Sequence, residues 1–181
     1  MTEVTEPARS KPLLELTDLK VHFPVRGGVL SRQVAAVKAV DGISLKIHPG
    51  ETLGLVGESG CGKSTLGKCA VRLNTPTAGQ VLFKGEDISH LSQRALRPLR
   101  RDFQMVFQDP AESLNSRMSV GQIISEPLLV QKIGTAASRK IKVQELLERV
   151  GLPKSAAERF PFEFSGGQRQ RIGIARTLAL N

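Results

Sequence analysis

The sequence has no tryptophan, no tyrosine and only two cysteines among its 181 residues. Cys61 and Cys69 lie close together in one short segment, which argues against a disulfide framework and favours a reducing compartment. No run reaches the ~18–20 apolar residues that a membrane-spanning helix needs. Residues 1–12 form a polar tail without the apolar core of a secretory signal. These absences argue against a disulfide-stabilised secreted domain and against a membrane-spanning one.

Acidic residues are also scarce, because 17 Asp and Glu face 26 Lys and Arg, which gives a formal charge of +9. A charge of this sign predicts an anionic partner: nucleic acid, phospholipid or nucleotide. With 40% hydrophobic and 24% charged residues, the composition is that of a globular protein. The length corresponds to one domain or to part of a larger one.

Strand patterns dominate the first part of the chain. Apolar residues nearly alternate over 13–23, with a break around Asp18, and a second strand-like stretch over 35–47 is interrupted at Asp41-Gly42. Residues 52–56 are apolar and carry no charge, which is typical of a strand buried on both faces. The sequence therefore predicts a strand-rich start that ends in a buried strand.

Helical patterns dominate the last part. A short strand is expected over 80–84, and an apolar run follows over 103–107. A helical pattern then extends from Ser119 to about Gly151, where a glycine and a following proline end it. Its apolar spacing of i, i+3, i+4 and i+7 is carried by Val143, Leu146, Leu147 and Val150. A last helix is predicted over 165–180.

Residues 57–64, Gly-Glu-Ser-Gly-Cys-Gly-Lys-Ser, match the phosphate-loop pattern G-x-x-x-x-G-K-[ST] at every position. A strand is predicted before this loop and a helix over 63–73 after it. Backbone N–H groups of such a loop turn inward around an anion, and the helix N-terminus adds positive potential. Lys63 is expected to reach the β- and γ-phosphates, Ser64 to bind Mg²⁺ and Thr65 to lie near the α-phosphate. The structural alternative is a glycine-rich turn that only caps a helix.

A second candidate anion site begins the last predicted helix. Ser165 and Gln168 have the spacing of a capping box, which is the purely structural interpretation. That interpretation does not explain Gly166 and Gly167, since glycine in a helix costs about 1 kcal/mol relative to alanine. Two glycines there are expected where the backbone must approach a ligand closely.

These motifs resemble those of ATP-binding cassette (ABC) ATPases. Residues 164–171, Phe-Ser-Gly-Gly-Gln-Arg-Gln-Arg, are similar to the signature motif of that family, and the phosphate loop then corresponds to its Walker A motif. The resemblance covers roughly residues 13–181. It implies an α/β fold: a P-loop NTPase of ABC type with an N-terminal antiparallel β part, an incomplete parallel core sheet and a helical subdomain over about 109–160.

The resemblance also implies a set of ligand-binding residues. Residues 105–110 resemble the Q-loop, so that Gln108 is expected to contact Mg²⁺ and the attacking water. Phe23 lies where the family places an aromatic ring against adenine. The signature residues are expected to face the ATP of a second subunit. The cofactors implied are ATP and Mg²⁺. The nucleotide-binding residues expected from the loop and the resemblance are Phe23, Gly57, Glu58, Ser59, Gly60, Cys61, Gly62, Lys63, Ser64 and Thr65, and, in trans, Ser165, Gly166, Gly167 and Gln168.

A closer resemblance is to the ATPase subunits of oligopeptide and dipeptide importers. It is based on residues 19–25, the insertion over 26–33, residues 108–110 and 113–117, and Glu126-Pro127-Leu128. Nickel importers share much of it. It implies that the protein couples ATP binding and hydrolysis to transport from the cytoplasmic face of the inner membrane. The implied partners are a second ATPase subunit, two membrane permeases and, indirectly, an extracytoplasmic solute-binding protein.

The family's catalytic carboxylates and switch histidine lie beyond its signature helix, and the sequence ends with that helix at Asn181. We therefore expect a truncated chain that is marginally stable and does not hydrolyse ATP alone. Two alternatives remain: a non-hydrolysing nucleotide-binding fragment, and an ABC ATPase that acts on nucleic acid or ribosomes.

Four arginines without an acid between them favour a membrane-proximal face over a nucleic-acid patch, because stacking aromatics are few. They are Arg94, Arg97, Arg100 and Arg101.

Overall fold

The computed structural model of the protein describes residues 11–27, 32–107 and 114–180, with the backbone alone for Arg32 and Gln33. The chain divides into two compact units, residues 1–96 and 97–181. Most of the polar tail predicted over 1–12 lies outside the described residues, and so does Gln108.

The first unit contains a four-stranded antiparallel sheet. Its strands are β1 (Leu14–Gly27), β2 (Arg32–Ile47), β3 (Ala78–Phe83) and β4 (Glu86–Asp87). Their spatial order is β2-β1-β3-β4, so β1 pairs on both sides. This arrangement confirms the predicted strands over 13–23, 35–47 and 80–84. It also confirms that the amino-terminal part is antiparallel.

The two breaks in the strand pattern are irregularities on either side of the Leu19–Ile43 pair in the β1–β2 ladder. Leu16 pairs with Leu45 and Leu19 with Ile43, which leaves one extra residue on β1. Asp18 lies there with φ 45°, and its N–H donates to Ser44 Oγ at 2.9 Å. Bulges of this kind increase the local twist, so β1 and β2 can curve together without losing their pairing.

Helix α1 (Lys63–Ala70) packs against β1 and β2 and buries Leu66 and Cys69. A short helix α2 (Gln93–Leu96) follows β4 and buries Leu96. The core of this unit is formed by apolar side chains from one face of the sheet and from these helices. Its buried apolar residues are Leu16, Leu19, Val21, Val40, Leu66, Cys69, Val81, Phe83, Ile88 and Leu96.

The expectation of a buried strand over 52–56 is wrong. The segment has no strand structure, and Leu53, Leu55 and Val56 are 44%, 46% and 92% exposed. Residues 103–107 are also outside any strand. A strand buried on both faces needs hydrogen-bonding neighbours for its N–H and C=O groups. No described strand pairs with either segment, and the apolar sequence alone cannot supply those partners.

The second unit is helical. It contains α3 (Val120–Val130), α4 (Ala136–Arg149) and α5 (Gly166–Leu178), with single 3₁₀ turns at Pro98–Arg101, Lys154–Glu158 and Pro161–Glu163. The predicted helical stretch from 119 to 151 is confirmed as two helices, and the predicted last helix is confirmed as α5. None of the helices in the described part of the chain is long and apolar enough to cross a bilayer.

One apolar cluster holds the three helices together. The residues at the predicted helical spacing on α4, Val143, Leu146 and Leu147, are all buried in it. The α3 and α5 side chains of the cluster are Val120, Ile123, Ile124, Leu128, Ile172 and Ala175. The periodicity of α4 therefore identified the face that packs, as expected for an amphipathic helix.

Candidate functional site

The loop over 57–62 leads directly into α1, whose N-cap is Gly62. This glycine has φ 98°, in the left-handed region that side chains rarely adopt. A Cβ at this position would lie 2.1 Å from the carbonyl oxygen of Ala39 on β2. Both the turn and the close approach therefore require glycine at position 62.

Helix α1 begins without a side-chain cap. The three other long helices each begin with a hydroxyl that accepts from the N3 backbone: Ser119 before α3, Thr135 before α4 and Ser165 before α5. A helix has four N–H groups in its first turn without an intrahelical partner. At α1 no side chain of its own cap accepts from them, so they remain available to an anion, which the helix dipole also attracts.

Lys63 folds back over the loop that precedes it. Its ammonium group donates to the carbonyl oxygens of Gly57 and Glu58, at 2.7 Å and 2.5 Å. It also lies 3.5 Å from Cys61 Sγ. The cation is therefore held at the loop, beside the uncapped start of α1, where it can interact with a phosphate.

The other predicted loop residues have accessible side chains. Ser64 in the first turn of α1 is exposed and Thr65 is half-buried. Glu58, Ser59 and Cys61 are exposed. Ser64 has the hydroxyl that could bind a metal ion, while Gln108, predicted to share this role, lies outside the described residues. Within the described ranges no group of three or more His, Cys, Asp and Glu forms a metal cluster.

Phe23 lies on β1 and is 44% exposed. Its partner across the ladder is Val37, which is 56% exposed. Residues that face each other in an antiparallel pair present their side chains on the same side of the sheet. The two side chains therefore form an accessible apolar surface in the same unit as the phosphate loop.

The predicted capping box at the start of α5 is present. Gln168 N–H donates to Ser165 Oγ at 3.4 Å, and Ser165 N–H donates to Gln168 Oε1 at 3.0 Å. Gly166 and Gly167 are exposed, and a Cβ at either position would meet nothing within 4 Å. Packing within this chain therefore gives no reason for glycine at these positions.

A compact cluster that the sequence predictions did not include precedes the capping box. Glu163 accepts from the N–H of Phe160 at 2.7 Å and from Arg159 Nε at 3.1 Å. These two donors, the N–H first, hold the pKa of Glu163 below its usual range. The Arg159 guanidinium lies 4.4 Å from the ring centroid of Phe164. The cluster fixes the chain just before Ser165, and the i, i+4 spacing of Arg159 and Glu163 was the signal available in the sequence.

Three of the four clustered arginines have partners inside the second unit. Arg97 donates to the carbonyl oxygen of Val130, and Gln131 Nε2 donates back to the Arg97 carbonyl at 2.7 Å. Arg101 donates to the carbonyl of Gln131 at 3.5 Å, and the Arg100 guanidinium lies 5.3 Å from the ring centroid of Phe103. Two of these arginines therefore cap the carboxyl end of α3, a structural role that neither sequence interpretation included.

Arg72 is a further residue that sequence reasoning missed. It follows α1 and is 2% exposed. Its guanidinium donates to the carbonyl oxygens of Ile88 at 2.7 Å, Asn74 at 3.0 Å and Leu91 at 3.3 Å. Burial lowers the pKa of this guanidinium. Arg72 therefore joins the carboxyl end of the phosphate-loop helix to the segment after β4.

The sequence is similar to ABC transporters. The family profile described by that name matches residues 40–181. The oligopeptide transport ATP-binding protein AppF of Bacillus subtilis (strain 168) is 57% identical over 175 residues, which is 96% of this chain and 53% of AppF. The glutathione import ATP-binding protein GsiA of Pectobacterium atrosepticum is 49% identical over 177 residues, 98% of this chain and 28% of GsiA.

The fold is similar to that of solved cassettes. The dimeric post-hydrolysis structure of the ATP-binding cassette MJ0796, bound to ADP and Pi, superposes with a TM-score of 0.80 at 29% identity. The match covers 93% of this chain and 70% of that one. The chain thus spans 53% of AppF and 28% of GsiA, the two curated relatives named above.

Proposed function

Because the chain belongs to the ABC transporter family and has the α/β fold of a P-loop NTPase, we propose that it is the nucleotide-binding part of an importer ATPase. The transported solutes are short peptides in this proposal. It is supported by the functions of the relatives: AppF is an oligopeptide transport protein and GsiA a glutathione import protein. Glutathione is itself a tripeptide, so both relatives point to the same class of substrate.

The uncapped start of α1 is the observation that carries the proposal. The phosphate loop ends at Gly62, no side-chain cap accepts from the first turn, and the Lys63 ammonium lies over the loop. These features together provide N–H donors, a helix dipole and a cation for one anion. A triphosphate satisfies all three.

In this proposal the loop residues 57–65 hold the phosphates of ATP, with Lys63 at the β- and γ-phosphates and Ser64 on Mg²⁺. Phe23 stacks on the adenine ring, which its exposure of 44% permits. Gln108 completes the magnesium site. Mg²⁺ would supply charge neutralisation for the phosphates, while the loop orients them.

The start of α5 supports a second role for this chain. Ser165, Gly166, Gly167 and Gln168 would contact the ATP held by a second ATPase subunit. The two glycines have exposed backbone and open space around them, which allows a phosphate of another molecule to approach the helix start. The ATP would then be held between two subunits.

Membrane partners complete the proposal. Two permease subunits would bind the ATPase at the cytoplasmic face of the membrane, and an extracytoplasmic protein would deliver the peptide. The helical unit with α3 and α4 includes most of the expected helical subdomain, 109–160, which would contact the permeases. Nucleic acid is not part of the proposal, and the partners of Arg97 and Arg101 within the helical unit give those residues another role.

Equilibrium binding of a fluorescent ATP analogue in the presence of Mg²⁺ tests the nucleotide site. We expect saturable binding that unlabelled ATP displaces and adenosine does not, because most of the contacts are to phosphates. Equal displacement by adenosine would place the binding energy on the base and contradict a phosphate site. The absence of saturable binding would contradict the proposed function.

A further inference from the structure

A β-bulge on β2 lies directly against the phosphate loop. In the β1–β2 ladder Val21 pairs with Val40 and His22 with Lys38, so Ala39 is an extra residue on β2. Such a bulge redirects the backbone of the bulged strand. It is the carbonyl oxygen of Ala39 that would lie 2.1 Å from a Cβ at Gly62.

This contact is the point where the loop meets the sheet. Gly62 is the residue that begins α1, immediately before Lys63. Its backbone can approach the Ala39 carbonyl only because it has no side chain. The bulge therefore lies directly against the helix start, next to the N–H groups of its first turn.

Three charged or titratable side chains surround the bulge. Asp41 Oδ1 lies 2.8 Å from His22 Nε2, and Asp41 Oδ2 accepts from Lys38 Nζ at 3.1 Å. Lys38 and Asp41 lie on either side of Ala39 in sequence, while His22 belongs to the opposite strand. The three side chains thus connect both strands across the extra residue. We call them the bulge brace.

We propose that the bulge brace positions the phosphate loop, by holding the Ala39 carbonyl in place under Gly62. As far as the loop binds nucleotide, this inference rests on the proposed function. In this inference the brace residues are positioning residues that act through Ala39 and Gly62. Their loss should loosen the loop while the β1–β2 pairing persists.

The same ladder contains a matched control. Glu15 and Lys46 are partners across β1 and β2, and Lys46 Nζ lies 2.8 Å from Glu15 Oε1. This pair has the same chemistry as Lys38 with Asp41. It lies at one end of the ladder, where Leu14 pairs with Ile47, whereas the brace lies near the middle. Removing either pair would weaken the β1–β2 pairing in general. Only removal of the brace should have a specific effect on the loop.

The thiol of Cys61 can be used to measure changes in loop conformation. Cys61 is exposed, whereas Cys69 on α1 is fully buried. A Cβ at Gly57 would lie 2.8 Å from Cys61 Sγ, so the exposed thiol lies directly against the loop backbone and depends on its conformation. The rate at which an aromatic disulfide reagent modifies Cys61 therefore reports loop conformation without any nucleotide. Cys61→Ser confirms that the observed thiol is Cys61.

The test compares Asp41→Ala with Glu15→Ala in the full chain. We expect Asp41→Ala to raise the Cys61 modification rate about two- to five-fold, the range that an exposed ion pair can account for. Glu15→Ala should leave the rate unchanged. Asp41→Ala with the wild-type rate would overturn the inference, and so would equal increases in both variants. If Asp41→Ala does not fold, Lys38→Ala against Lys46→Ala makes the same comparison.

A second arm separates this inference from the proposed function. Adding MgATP should slow the modification of Cys61 in the wild-type chain, because the nucleotide covers the loop. If MgATP gives no protection, the nucleotide site is contradicted. The difference between Asp41→Ala and Glu15→Ala in the absence of nucleotide still decides the role of the brace.

Discussion

The ammonium group of Lys63 donates a hydrogen bond to the carbonyl oxygen of Gly57, six residues upstream, at 2.7 Å. The loop that the lysine follows is therefore also the loop that holds it. When a phosphate binds, its charged oxygens must replace the carbonyl oxygens as acceptors of the Lys63 hydrogen bonds. Charged oxygens form stronger hydrogen bonds with a cation. This exchange is the physical basis of the first prediction.

Lys63→Ala should weaken binding of the fluorescent ATP analogue about 10- to 100-fold, since a hydrogen bond to a charged group contributes ~1.5–3 kcal/mol. Lys68→Ala is the control, because Lys68 lies in the last turn of the same helix. It removes the same charge without touching the loop. Equal losses in both variants would show that net charge, rather than the position of Lys63, determines affinity.

Gly62→Ala should destabilise the protein, because the left-handed conformation costs an alanine about 1–3 kcal/mol. The added Cβ also meets the Ala39 carbonyl at 2.1 Å. Gly67→Ala, inside α1 and with nothing within 4 Å of its Cβ, should instead raise stability by up to about 1 kcal/mol. Thermal unfolding measures both. A neutral Gly62→Ala would mean that the loop does not depend on this contact.

Gly166→Ala and Gly167→Ala should stabilise the chain by up to about 1 kcal/mol each, because alanine favours the helix and fits the open space. Both should weaken nucleotide-dependent dimerisation, because a methyl group would then cover the backbone that faces the second subunit. Gly173→Ala in the same helix is the control and should leave dimerisation unchanged. The measurements are thermal unfolding and sedimentation with MgATP. Unimpaired dimerisation of all three variants would contradict the role in trans.

Arg97→Ala and Gln131→Ala should each destabilise the helical unit by ~0.5–1.5 kcal/mol, the net contribution of a hydrogen bond to stability. The Arg97 guanidinium donates to the Val130 carbonyl and the Gln131 amide donates to the Arg97 carbonyl, so both side chains fasten the same two segments. Losing one bond loosens the other, and the double variant should therefore lose less stability than the sum of the single ones. Chemical denaturation gives the double-mutant cycle. Strict additivity would show that the two residues act independently.

The loss of folding stability at acidic pH should depend on Glu163. Its pKa is lowered in the folded protein by the N–H of Phe160 and by Arg159. The ionised carboxylate therefore stabilises the folded state. This stabilisation is complete above the pKa that Glu163 has in the unfolded chain, and it is lost as the pH falls through its lower pKa in the folded protein. Unfolding midpoints of Glu163→Gln should therefore fall less steeply below about pH 4.5 than those of the wild type. Glu158→Gln, on the same segment, should retain the wild-type slope.

Much of the site could be predicted from sequence because its determinants are local. The phosphate-loop spacing identified the start of α1, and Ser165 with Gln168 identified the start of α5. Each depends on residues within a stretch of eight positions or fewer. The strand breaks at Asp18 and Asp41-Gly42 were also visible, since an interrupted alternation indicates an irregular ladder.

The features that were predicted wrongly or not at all depend on contacts between residues far apart in sequence. The apolar segment 52–56 was expected to be buried, but burial of a strand requires neighbours that its own sequence does not specify. Arg97 and Val130 lie 33 residues apart, and nothing in their local sequence indicates that an arginine caps a remote helix. The roles of Arg72 and of the Ala39 bulge were missed for the same reason.

Arg72 also affects how the chain can vary. The three acceptors described above are main-chain carbonyl oxygens, those of Asn74, Ile88 and Leu91. Any amino acid at the accepting positions offers the same oxygen, whereas lysine in place of Arg72 would lack the planar fork that reaches three of them. Variation among related sequences should therefore be tolerated at the accepting positions as far as these bonds are concerned, while position 72 itself stays arginine.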